Sequence, residues 1–317
     1  MCPPCAWLQV ERWLLKQKAR LLACEHYQVI FTMPSELHGL WRANVAVRTT
    51  LLLASVRDTV LEWLGDPKYL GATPGIMATL HTWSQTLLLH PHMHALVTGG
   101  GLSRIGQWVP VRHGFLLPSR VVMALFRGKL LAAIDTAVCE GQLMWPGGLT
   151  PRHWETLRNQ LGRQKWNVHI RERYPHGEGV LVYLARSIRG GPMANTRLVS
   201  CEQGEGSAAG RRGLMTVPLA ECIRRYLVHV PAPGTRVVRS YGLYAPTKRA
   251  TLAYCREQVG QGPVEAPVVL DWQTACRQRG AEHPERCPVC GQPLVCRGRI
   301  PRPRLAPSAR APAEVAA

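Results

Sequence analysis

From Tyr69 to Ser103 the chain carries no Asp, Glu, Lys or Arg, although 39 basic and 20 acidic residues are spread over its 317 positions. A run this long without charge has to be buried. It is not a membrane span, because Pro74, Ser84, Gln85, His90, Pro91, His92 and His94 interrupt it before about 18 consecutive apolar residues accumulate. The stretch therefore reads as interior strands of a sheet covered on both faces. Two strands are expected, over 76–83 and 92–98, with a more polar third over 105–111.

The second of these strands begins HPHMHALV and runs into three glycines. Side chains alternate along a strand, so His92 and His94 share one face while Met93, Ala95 and Val97 point to the other. Two imidazoles one repeat apart can converge on a single divalent cation. The same spacing also fits two histidines on a half-exposed sheet face. Pro91 lacks an amide hydrogen and suits the first position of a strand.

Composition narrows the class. A formal charge of +19 points to a polyanionic partner, most simply nucleic acid, and the basic residues are dispersed over the chain rather than gathered in one tail. The 46% hydrophobic content is that of a folded protein, and 317 residues suffice for one large or two ordinary domains. The 11 cysteines are odd in number, and MCPPCAWLQVERWLLKQKAR has no apolar segment of a secretory signal. A reducing compartment, the cytoplasm, is expected, where paired cysteines indicate metal rather than disulfides. Cys2-Pro-Pro-Cys5 and Cys287-Pro-Val-Cys290 each have the spacing of half a structural Zn²⁺ site. Cys276, His283 and Cys296 are candidates to complete the second, and Cys24 and His26 lie nearest the first.

In order, the periodicity predicts a helix over 6–22 and a strand over HYQVIFTM. One helical stretch from Ser35 to about Leu64 follows, then the strands above, and helices over 117–139 and 151–163. A strand is expected over 166–170 and a helix over 178–189. Strands and helices alternate without a βαβ repeat, so an α+β fold with a mainly antiparallel sheet is expected. The helix at 178–189, EGVLVYLARSIR, has an apolar stripe of Val180, Leu181, Leu184 and Ile188. Tyr183, Arg186 and Ser187 lie on its polar flank. Tyr183 is then either a packing residue with a wet hydroxyl or a phenol held rigidly for attack on a phosphodiester.

HYQVIFTMP, LHTWSQTLLLHPHMHALVTGGG, YLARSIRGGPMANTRL, ECIRRYLVHV and RSYGLYAPTKR, in that order, resemble the successive blocks of the HUH-type rolling-circle insertion-sequence transposases. These are the two-tyrosine family related to plasmid Rep initiators. The resemblance runs from about Cys2 to Cys290. It implies a ferredoxin-like HUH sheet and Mg²⁺- or Mn²⁺-dependent nicking of single-stranded DNA at the element's ends. It also implies a 5′-phosphotyrosine intermediate, rolling-circle transposition and a zinc-binding region at the N-terminus. His92 and His94 match the HUH pair, and Tyr183 matches the first tyrosine. His81, in the LHTW segment, is the candidate third metal ligand, with a buried structural role and His90 as alternatives.

Three departures stand out. Ser187 occupies the place of the second tyrosine. The chain begins within what looks like the second half of the family's zinc motif, as a truncated start would. Residues 205–213, GEGSAAGRR, are low in β propensity and read as a loop where the family has a strand.

The expected organisation is a zinc-binding segment and helix (1–24), an HUH core (25–200), a basic helical DNA-binding region (201–275), a zinc knuckle (276–296) and a disordered tail (297–317). Arg186, Arg189, Arg224, Arg225, Lys248 and Arg249, interleaved with Tyr241 and Tyr244, are the candidate DNA-binding residues. The alternative function is a non-catalytic, zinc-stabilised DNA-binding protein derived from such a transposase. An RNA-binding protein would fit the charge but leaves the histidines and tyrosine unexplained.

Overall fold

The computed structural model describes residues 3–112, 118–189, 192–193, 197–202, 205–210, 213–231, 235–268, 270–278, 280, 285–287 and 289–295. The first half runs α1 (Pro3–Lys18), β1 (His26–Thr32), α2 (His38–Ala43), α3 (Val45–Gly65), β2 (Ala72–Trp83), β3 (Leu89–Ser103), β4 (Trp108–Pro110) and α4 (Ser119–Cys139). Then come α5 (Pro151–Arg163), β5 (Asn167–Tyr174), α6 (Glu178–Arg189), β6 (Leu198–Glu202), β7 (Glu205–Gly210) and β8 (Gly213–Pro218). The chain continues with α7 (Leu219–Leu227), β9 (Val238–Gly242), α8 (Arg249–Gln258) and α9 (Trp272–Arg277). It divides into two compact units, Met1–Val269 and Leu270–Ala317.

The main sheet of the first unit has the order β5-β1-β3-β2-β9, with β4 beside β3, and every pairing is antiparallel. The α+β expectation holds. The uncharged stretch became β2 and β3, longer than predicted, and β3 is buried from Met93 to Gly101 without a break. Helices supply the cover that such a strand needs. On one face, α3 offers Leu52, Leu53, Val56, Val60, Trp63 and Leu64, and α4 offers Val122, Phe126, Leu130, Leu131 and Ile134, all at helical spacing. Met93, Ala95 and Val97 meet them from β3. On the opposite face, Met77 and Leu96 pack with Leu14 of α1, with Val180, Leu181 and Leu184 of α6, and with Leu252 of α8.

The glycines ending β3 answer a packing demand. A Cβ on Gly100 would lie 2.6 Å from the Trp108 ring, and one on Gly101 would lie 2.6 Å from the Thr73 carbonyl oxygen. Any larger residue would prise β4 or β2 off the sheet.

The chain departs from the sequence expectation at three places. The single helix expected over 35–64 is broken at Asn44, which leaves the helical region at φ −136°. Its side-chain amide donates to the carbonyls of Leu40 and Met144, and its Oδ1 accepts from the Met144 amide. That long-range fastening competes with helix continuation. Residues 205–213, expected to be a loop, contain β7, paired with β6 on one side and β8 on the other. Pairing on both edges overrides the low propensity of EGSAAG. The region 201–275 is also less helical than expected. It contributes most of this three-stranded sheet, and β9 enters the main sheet alongside β2.

In the second unit, Asp271 caps α9 by accepting from the Thr274 amide at 2.6 Å. Beyond it, Arg286 and Pro293 form an isolated antiparallel bridge. Among the described residues no helix is long and apolar enough to cross a membrane.

Candidate metal centre and active site

Strand parity and register build the site. His92 and His94 share one face of β3, and antiparallel pairing sets His81 of β2 directly opposite His92. The three imidazoles gather there, and their candidate ligand nitrogens all lie within 4.8 Å of one another. Ring centroids are 4.3 Å apart for His81–His94, 5.0 Å for His92–His94 and 5.4 Å for His81–His92. His90 stands 5.1 Å from His92 and outside this group.

The arrangement fits a divalent cation. Burial pushes the His92 imidazole down to about 4 and His94 to about 3, and it holds His81 well below the ordinary range, with the neighbouring histidines adding to each shift. All three are therefore neutral at pH 7, as ligands must be. The His92 Nδ1–H donates to the His90 carbonyl at 2.7 Å, which leaves Nε2 with the lone pair. The Gln28 amide of β1 lies 2.8 Å from the His94 Nδ1. An amide can present either its oxygen or its nitrogen to that atom, so Gln28 can hold the ring in the tautomer a metal requires. Three neutral imidazole nitrogens this close together form a donor set that one divalent cation could share.

α6 lies on the histidine face. Its buried residues Val180, Leu181, Leu184 and Ala185 belong to the same apolar cluster as Met77 and Leu96, which have the strand parity of His81 and of His92 and His94. The side chains of Tyr183, Arg186, Ser187, Ile188 and Arg189 lie outside the described residues. The start of α6 is tightly seated: Gly177 has φ +60°, and a Cβ there would lie 2.8 Å from the His26 ring. His26 in turn belongs to a buried network. Its Nδ1 donates to the Cys24 carbonyl at 2.9 Å, and its Nε2 accepts from the Tyr244 hydroxyl at 2.7 Å. The same hydroxyl accepts from the Leu22 amide at 3.1 Å.

The basic residues divide. Arg224 pairs with Glu221, and Arg225 pairs with Glu221 while donating to the Thr86 carbonyl. Lys248 and Arg249 are exposed at the start of α8. Tyr244, expected among the aromatics offered to DNA, is fully buried, and Tyr241 is half-buried with Arg57 against its ring at 5.8 Å. Tyr244 is no stacking platform: its hydroxyl is committed to His26 and Leu22.

Cys2 lies outside the described residues, as do the side chain of Cys5 and all of His283 and Cys296. In the second unit Cys287 and Cys290 share a tight turn, in which the Gly291 amide donates to the Cys287 carbonyl at 2.9 Å and the Cys287 amide to Gln292 at 2.8 Å. The backbone amides of Cys290 and Val289, in that order, hold the Cys287 thiol below its ordinary range.

Residues 75–251 match the model of the Y2_Tnp family, described as "Putative transposase". The chain is 32% identical over 307 residues to "Putative transposase y4qJ" of Sinorhizobium fredii (strain NBRC 101917 / NGR234), a match covering 92% of this chain and 77% of that protein. The chain belongs to this transposase family. It is also 28% identical over 258 residues to the transposase for insertion sequence element IS801 of Pseudomonas savastanoi pv. phaseolicola, covering 77% of this chain and 60% of that one. Among solved structures it is similar to the metal-bound conjugative relaxase TrwC in complex with oriT DNA, at 11% identity and a TM-score of 0.29, over 74% of this chain and 70% of that one. A likeness that slight carries no part of the assignment. The expected transposase is borne out at the level of the family, whose matched span takes in the histidine hairpin, α6, β9 and the turn before α8.

Sequence reasoning missed the part that Gln28 and His229 play around this site, and it gave His26 and Tyr244 other roles, beside the first cysteine pair and among the aromatics offered to DNA. Gln28 and His26 stand in the HYQVIFTMP block and His229 in ECIRRYLVHV, so the blocks mark the segments without revealing what each side chain touches.

Proposed function

We propose that the chain nicks and rejoins single-stranded DNA at the ends of an insertion sequence, with Tyr183 as nucleophile and His81, His92 and His94 as ligands of one divalent cation. The observation that carries this reading is the packing of α6 on the face of the sheet where the three histidines converge. A cation held there would supply Lewis-acid polarisation of the scissile phosphate and neutralise charge in the transition state. Three imidazoles suit Mn²⁺ better than the harder Mg²⁺.

The residues of the chain do the rest. The phenolic oxygen of Tyr183 attacks phosphorus as its proton is given up, the bond to the 3′ oxygen breaks, and that oxygen takes up a proton and leaves as a free hydroxyl. The 5′-phosphotyrosine keeps the energy of the broken bond for rejoining by reversal of the step. Gln28 and the His90 carbonyl orient two of the ligands. Lys248 and Arg249, with Arg186 and Arg189 on α6, contact phosphates along the strand. Arg224 and Arg225 act there only in exchange for their pairing with Glu221. Cys287 and Cys290, and Cys2 and Cys5, contribute to structural Zn²⁺ sites. Work on DNA of this kind belongs in the cytoplasm.

The test is a nicking assay with Mn²⁺ on single-stranded oligonucleotides carrying the element's ends, read by denaturing electrophoresis. A protein–DNA adduct lost in Tyr183→Phe, and lost in His92→Ala with His94→Ala, is the expected result. An adduct that survives Tyr183→Phe would mean another nucleophile, Tyr174 first. Ser187 in place of the second tyrosine favours a second reading, a DNA-binding protein without strand-transfer activity. Binding of the oligonucleotides with no adduct would establish it.

A further inference from the structure

The hairpin joining β2 to β3 carries the metal ligands, and its geometry is irregular where it matters. The pairing register shifts between His81 and Trp83, so Thr82 sits in a bulge immediately after one ligand. Across the turn, Leu87 adopts φ +60°, the one non-glycine residue with positive φ among those described, although its side chain is buried. Neither conformation is one the local sequence favours, and each needs an external constraint to persist.

His229 supplies both. This residue follows α7, is buried, and faces the hairpin. The Thr82 hydroxyl donates to its Nδ1 at 3.1 Å, and its Nε2–H donates to the Leu87 carbonyl at 2.9 Å. Its ring stands 6.0 Å from that of Trp83, which in turn stacks on His81 at 4.9 Å. One imidazole thus ties the bulge, the strained turn residue and the ring behind His81 together. Arg225 and Arg197 donate to the neighbouring turn carbonyls of Thr86 and Gln85.

We infer that His229 is a positioning residue of the metal centre: by pinning Thr82 and Leu87 it holds β2 and β3 in the one register that sets His81 opposite His92. A slip of one residue would turn His81 to the other face of the sheet. The inference rests on the reading of the three histidines as a metal site, and it predicts a defect in metal affinity rather than in the nucleophile.

The experiment measures Mn²⁺ binding to the DNA-free protein by electron paramagnetic resonance of the free ion, beside far-ultraviolet circular dichroism. His229→Ala should weaken binding on the order of 10- to 100-fold, as loss of an orienting partner does at other metal sites. His229→Gln, which can still donate to the Leu87 carbonyl, should recover part of it. Thr82→Val, nearly isosteric, should show a smaller loss and guards against failure of the alanine variant to fold. Nicking by His229→Ala should return as Mn²⁺ is raised, with the maximal rate little changed. Unchanged Mn²⁺ affinity in Thr82→Val and in a folded His229 variant would overturn the inference while leaving the metal site standing. Binding in the unmodified chain that is indifferent to His81→Ala would instead overturn the metal reading, and the inference with it.

Discussion

Tyr244→Phe removes one oxygen atom, and the structure fixes what that should cost. The residue is fully buried, and its hydroxyl closes two hydrogen bonds, one to the lone pair of the His26 Nε2 and one from the Leu22 amide. The His26 Nδ1 is already committed to the Cys24 carbonyl, so the ring cannot compensate by changing tautomer without losing that bond. Phenylalanine leaves a buried acceptor and a buried donor without partners. Each costs about 1–3 kcal/mol, and partial relaxation of the Leu22 segment sets the expected loss at about 2–4 kcal/mol. For a unit of this size that corresponds to a midpoint lower by roughly 5–10 °C. Equilibrium urea unfolding of the two proteins measures the loss directly.

Tyr254→Phe is the control. Its hydroxyl also donates one hydrogen bond, here to the Gly106 carbonyl at 2.9 Å, but on a residue 43% exposed, so water replaces the bond and the change should stay within about 0.5 kcal/mol. A double-mutant cycle adding His26→Leu should return a coupling of about 1–2 kcal/mol, because the second substitution removes the acceptor that the first had stranded. Tyr244→Phe within about 0.5 kcal/mol of the unmodified chain would refute the assignment of donors and acceptors in this network.

Acid should destabilise the fold before carboxylate chemistry explains it. Burial holds His26 and His92 near 4 and His94 near 3, so between pH 6.5 and about 4 the unfolded chain takes up protons that the folded chain refuses. The stability these groups contribute is present above pH 6.5 and is lost as pH falls through that window. Urea midpoints at pH 7.5, 5.5 and 4.5 should decline in step, and a flat profile would contradict the burial of the imidazoles. Arg48 gives a prediction of the opposite sign. It is 2% exposed, burial pushes its guanidinium down to about 10, and its two terminal nitrogens have no hydrogen-bond partner among the described residues. Arg48→Met keeps the length, removes the charge and should raise stability by about 1–3 kcal/mol in the same assay; a loss would mean that the charge has a partner.

What was legible in the sequence follows the range of the forces involved. Period-two alternation fixes which face His92 and His94 share, so the pair could be read from six residues. Absence of charge over 69–103 revealed that the strands carrying it are buried on both sides. His81 is different: it meets His92 through the β2–β3 register, which no local pattern encodes, and only the LHTW segment pointed to it. Gln28 reaches the site from β1 by the same kind of non-local pairing. The break at Asn44 depends on Met144, a hundred residues away, and β7 depends on two neighbours rather than on its own EGSAAG. Tyr244 was misjudged for a related reason, since an aromatic among arginines looks like a surface reader until the His26 network is seen.

These non-local contacts have a common form, a polar side chain reaching a distant backbone or ring: Asn44 to Met144, Tyr244 to His26 and Leu22, His229 to Thr82 and Leu87. Two of the three border the histidines and α6, and they act on different parts of the machinery. The His229 contact governs a hairpin, where an error of register is all-or-none because it reverses the face of every side chain. The Tyr244 network governs the seat of a helix, where Gly177 lies against the His26 ring and a displacement can be gradual. The histidine cluster and the seat of α6 are therefore held by separate constraints on one sheet face, and the proposed function separates their effects. Loosening the first should appear as weakened metal affinity, and loosening the second as slower attack at saturating metal.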